Sequence, residues 1–188
     1  MGFLSGVLVF CFFLAGSKTP AQAAILSLER ETVAPNSSAE SFAWDPSDNG
    51  PAIAFNDSGT LKYAKRGAGG WSTTAVAQMS ASSNATVSLA FDPISNRPLI
   101  AYSTPSLAAA TFDGAVWSTQ TVDARMASGI SLGFDPTDRR ARISYFVSTP
   151  TISVLFAAYD GATWTISTVF GQCGSNPLME QLVDRKSS

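Results

Sequence analysis

The chain has 188 residues, 45% of them hydrophobic and only 14% charged, with a formal charge of -2. That is enough apolar side chain for a real core, and the slightly acidic balance leaves no basic footprint for nucleic acid. The absence of histidine excludes Ser-His-Asp and Cys-His catalysis and any His-ligated metal site.

Residues 3–15 form a short apolar run, and Ala21-Gln22-Ala23 fits a small-x-small cleavage site. This reads as a secretory signal peptide over residues 1–23, although no Lys or Arg precedes the run. The run is too short to span a bilayer comfortably. A secreted or periplasmic chain with no membrane association after cleavage is expected. Cleavage would remove Cys11 and leave Cys173 alone, unable to form an internal disulfide.

Residues 27–33, Ser-Leu-Glu-Arg-Glu-Thr-Val, read as a leading strand. Three copies of one pattern follow. The first runs Ser41-Phe42-Ala43-Trp44-Asp45-Pro46, then Ala52 to Phe55, Leu61 to Ala64, and Trp71 with Val76. The second runs Ser88-Leu89-Ala90-Phe91-Asp92-Pro93, then Leu99 to Tyr102, Leu107 to Phe112, and Trp117 with Val122. The third runs Ser131-Leu132-Gly133-Phe134-Asp135-Pro136, then Arg142 to Tyr145, Leu155 to Tyr159, and Trp164 with Val169. The landmark Asp-Pro pairs recur after 47 and 43 residues. A period of this length built from four short strands marks a propeller blade.

The local chemistry supports that reading. Large and small apolar residues alternate in the Ser-Phe-Ala-Trp-Asp segment, the period-two pattern of a strand. The small positions predict crowding near a common axis. Asp-Pro ends that strand, because Pro has no amide hydrogen and Asp accepts bonds from the backbone ahead. Gly69-Gly70, Asp113-Gly114 and Asp160-Gly161 supply the positive φ of a tight hairpin before the fourth strand. The predicted fold is an all-β partial propeller. It has three four-stranded antiparallel blades, at about 41–77, 87–123 and 130–170, plus the leading strand and a non-repeating tail over 171–188.

These repeats resemble those of secreted bacterial propeller proteins related in shape to sialidases, the superfamily marked by BNR or Asp-box motifs. The resemblance covers residues 27–170 and implies a fold more than a function. Asp160-Gly161-Ala162-Thr163-Trp164 departs from the Asp-box pattern, since its Asp stands one residue too close to the Trp. The arginine cluster, tyrosine nucleophile and acidic partners of a sialidase align with nothing in the chain.

Three blades are fewer than the usual four to eight. A longer propeller whose other blades are missing would explain the surplus leading strand, and the strand count favours it. Two copies joining into a six-bladed ring, a homodimer, is the other solution. The expected function is a non-catalytic extracellular binding module for a glycan or a protein. The alternatives are an inactive fragment of a sialidase-like glycan hydrolase and a structural unit that dimerises.

Trp71, Trp117 and Trp164 are the candidate ligand-binding residues, as stacking platforms for sugars; their fixed place in each blade favours packing between blades. Asp45, Asp92 and Asp135 read as turn caps, because each turn offers too few oxygens for calcium. No metal, catalytic residue or cofactor is assigned. Asn36, Asn56 and Asn84 each open an Asn-x-Ser/Thr sequon, which matters only in a host with that glycosylation machinery.

Overall fold

The computed structural model describes residues 31–34, 37–79, 85–103 and 105–171. The signal peptide, Asn36, Asn84, Cys173 and the tail from 172 lie outside the described residues, as do 27–30 of the leading strand. Glu31 to Val33 carry no strand. All twelve described strands belong to the unit Thr32–Ser188.

The first sheet contains β1 (Ser37–Asp45), β2 (Gly50–Asp57), β3 (Thr60–Gly67) and β4 (Gly70–Gln78). The second contains β5 (Thr86–Phe91), β6 (Pro98–Ser103), β7 (Leu107–Phe112) and β8 (Trp117–Asp123). The third contains β9 (Ser128–Phe134), β10 (Ala141–Val147), β11 (Ser153–Tyr159) and β12 (Trp164–Gly171). Each sheet is an antiparallel meander in chain order. The blades begin somewhat earlier than the pattern predicts, most clearly at Ser37 instead of residue 41.

The local predictions hold at the turns. Asp45 Oδ1 accepts from the Ser47 amide, Asp92 Oδ1 from Ile94 and Asp135 Oδ1 from Thr137, each at 2.8 Å. Four residues past each of these aspartates the backbone turns left-handed, at Asn49, Asn96 and Arg139. Gly70, Gly114 and Gly161 take φ of +100°, +106° and +108°, where a side chain would be strained. Each outer strand pair carries a register shift at the equivalent place, at Leu61/Lys62, Leu107/Ala108 and Val154/Leu155. The irregularity is therefore part of the repeat.

The sheets stack face to face, with the first strands together: β5 lies against both β1 and β9. A repeated hydrogen bond fixes this stacking. The Leu89 amide donates to Ser41 Oγ at 2.9 Å, and the Leu132 amide to Ser88 Oγ at 3.0 Å. Two cores result. One places Ala52, Ala54, Leu61 and Tyr63 of the first blade against Leu89, Ile100 and Tyr102 of the second. The other places Leu99, Ala101, Leu107 and Val122 of the second blade against Ile143, Tyr145, Val147 and Leu155 of the third. Strand β6 thus sends alternate residues to opposite neighbours, and all six of its residues are buried. Strand β10, covered on one face, alternates instead. Full burial of one large aliphatic side chain contributes about 1.5–3 kcal/mol, so the blade interfaces hold the fold together.

Asn56 is buried, and its Oδ1 accepts from the Gly59 amide at 3.0 Å. Its side chain serves the β2–β3 turn and is not offered to a glycosylating enzyme.

Candidate functional site in the clefts between blades

Two clefts occupy equivalent places, one at each blade junction, where the turns joining first to second and third to fourth strands converge. The first lies between blades one and two. Its wall is Trp117, at the start of β8, whose ring sits 5.5 Å from Tyr63 of the preceding blade and 5.2 Å from Phe112 of its own. Asp45, Ser72 and Thr74 of the first blade also line it, with Arg97 from the turn before β6. Ser47 Oγ donates across the cleft to the Asn96 carbonyl at 3.3 Å.

The second cleft, between blades two and three, repeats the plan. Trp164 packs 5.0 Å from Tyr159, and Arg140 takes the place of Arg97. Asp92, Ser118 and Gln120 take the places of Asp45, Ser72 and Thr74. Gln120 Nε2 donates to the Ala162 carbonyl at 3.3 Å and bridges the blades. This cleft also collects Arg97, Asp113 and Arg139, so it is the more highly charged of the two.

Several polar groups are held in fixed states. Burial, and then the neighbouring Asp45 carboxylate, push the Tyr63 phenol up, so it stays protonated and donates to Asp45 Oδ2 at 3.4 Å. The Val116 and Ala115 amides hold the Asp113 carboxyl below its ordinary range, and the Thr163 and Ala162 amides do the same for Asp160. These carboxylates organise turns. Arg97 lies over Gly114: a Cβ there would sit 3.1 Å from its Nη2, a second reason for glycine at that turn.

Of the three tryptophans singled out in the sequence, the structure sets two in clefts. Trp117 and Trp164 pack against the inter-blade cores while lining the clefts, so packing and partial exposure coincide. Trp71 has no blade ahead of it within the described residues, and its indole Nε1 is buried without a hydrogen-bond partner. The pattern reading passed over Arg97 and Arg140. Each stands five residues past its landmark Asp and directly before the second strand, a recurrence that would have marked them. Among the described residues no group of three or more Cys, Asp or Glu is placed to hold a metal ion. Nor is any helix there long and apolar enough to cross a membrane.

The fold defines the class: an all-β partial propeller of three four-stranded blades with paired inter-blade clefts. A solved fucose lectin from Kordia zhangzhouensis, in complex with methyl-fucoside, has a similar fold, with a TM-score of 0.50 and 14% identity. The match covers 71% of this chain and all of the lectin chain. No family model matches the chain, and no curated protein matches it.

Proposed function

We propose that this protein is a non-catalytic, extracellular glycan-binding module whose sugar sites are the two clefts between blades. The observation that carries the reading is the duplication of one constellation. Each cleft combines a partly exposed tryptophan, a guanidinium, a carboxylate and side-chain hydroxyl or amide groups. An aromatic face receives the C–H face of a sugar ring, while Arg and Asp hydrogen-bond adjacent hydroxyls with charge-assisted strength. A concave site with few convergent polar groups suits a small ligand. The methyl-fucoside in the similarly folded lectin supports this class of ligand.

In the first cleft the Tyr63 phenol stays protonated and donates to Asp45. A glycan array probed with the whole chain tests the proposal. Binding to a defined set of glycans, lost in Trp117→Ala together with Trp164→Ala, is the expected result. A blank array at micromolar protein would refute it.

A further inference from the structure

The two ends of the blade stack carry the two halves of the interface that joins the blades internally. Val76, Val122 and Val169 are equivalent, five residues past each blade's tryptophan. Val76 packs against the first core and Val122 is 8% exposed under the following blade, whereas Val169 is 68% exposed. Ser41 and Ser88 each accept an amide from the next blade, but no such bond reaches Ser131 among the described residues. At the opposite end, Phe42 stands where Leu89 stands in the second blade. Leu89 is 6% exposed, and Phe42 is 64% exposed beside Trp44. Phe55 and Ala64, further out on that sheet, are buried, so the open part is the strip along β1.

We propose that a second copy of this chain docks head to tail, the third blade of each copy seating on the first blade of the other, so that two chains close a six-bladed ring. The argument is continuity along the first strands: Phe42 and Trp44 stand where Leu89 and Phe91, and Leu132 and Phe134, pack into the two internal junctions. Exposed apolar residues at both ends are those that a neighbouring blade would cover. If three blades span half a turn, a heterologous contact used at both ends closes under two-fold symmetry. The third blade departs from the pattern at Arg142 and Ser144, where the others have Ala52 or Leu99 and Ala54 or Ala101. Arg142 is already paired with Asp135 and Asp138, so its guanidinium is not an unpaired charge at the junction.

The new junction would also complete a site. Through strand register, Phe156 occupies in the third blade the place that Tyr63 holds in the first. Trp117 packs on Tyr63; Trp71 would pack on Phe156 of the second copy. Each junction would then build a further cleft with residues from both chains. The assembly itself does not depend on sugar binding.

The test is the solution mass of the whole chain without sugar, by light scattering, for wild type, Phe42→Glu and Val169→Glu. The expected result is a wild-type dimer. Each variant, substituted at a site exposed within one chain, keeps its circular dichroism but weakens self-association by at least about 30-fold. Mixing the two variants restores a dimer, because one of the two junctions is then intact. A wild-type monomer would overturn the proposal, whether further blades or residues 172–188 cover the faces. So would an open-ended polymer, or a dimer indifferent to Val169→Glu.

Discussion

The phenolic oxygen of Tyr145, in the third blade, donates to Asp123 Oδ2 of the second blade at 2.6 Å. Asp123 also receives Arg125 Nη2 at 2.6 Å and the Arg125 amide at 3.0 Å. Arg125 Nε adds a further bond at 3.0 Å, and a buried carboxylate is tolerated at this junction because four donors converge on it. Removing one should be felt. Tyr145→Phe keeps the ring but withdraws a donor, and is expected to destabilise the fold by about 1–3 kcal/mol in urea unfolding. The equivalent change at Tyr102, whose neighbours supply no such carboxylate, should cost less.

The same pair makes stability depend on pH. Burial raises the Asp123 carboxyl, but the hydrogen bonds from Arg125 and Tyr145 outweigh it and hold the group below the usual carboxylate range. A carboxyl with a lower pKa folded than unfolded contributes fully above its unfolded value, about 3.9, and loses that contribution as pH falls through the folded value. Unfolding free energy should therefore be insensitive to this group from pH 7 to about 5 and fall below about 4. In Tyr145→Phe the acid-side slope should be shallower. An unchanged slope in thermal melts across pH 2–7 would remove the pair from the explanation.

Arg139 tests the repeated turn. It adopts φ of +58° at the position held by Asn49 and Asn96, at +48° and +56°. Asn tolerates this left-handed region, whereas a long side chain strains it. Arg139→Asn should stabilise the protein by roughly 0.5–1 kcal/mol, and Asn96→Arg should cost a similar amount. Calorimetric melting temperatures would show the opposite shifts.

The middle blade should be the least tolerant of truncation. Ile100 is fully buried and Ile94 is 69% exposed, although they lie six residues apart. Ile100→Ala is expected to cost about 2–5 kcal/mol and Ile94→Ala to stay within about 0.5 kcal/mol. Denaturant midpoints at a constant slope provide the comparison.

How much of this could be read beforehand depended on how local its cause was. The Asp-Pro turns and the Gly70, Gly114 and Gly161 hairpins were legible because neighbouring residues determine them. Stacking order was partly legible, since Ser41 and Ser88 recur, but only the fold shows that each accepts a bond from the next blade. Val122 and Val169 have the same place in the repeat and opposite burial, because burial here belongs to the neighbouring blade. The clefts were least legible. They join Trp117 to Tyr63 and Asp45, residues from different repeats that no single repeat displays together. Of the leading strand only Glu31 to Val33 are described, and they carry no strand.

The most direct test of the clefts as sugar sites follows the indole N–H resonances of the four tryptophans during titration with methyl-fucoside and with glycans selected on an array. Single Trp→Phe variants assign the signals. The Trp117 and Trp164 signals should move saturably with sugar. Saturable binding that leaves both of those signals in place would contradict the account.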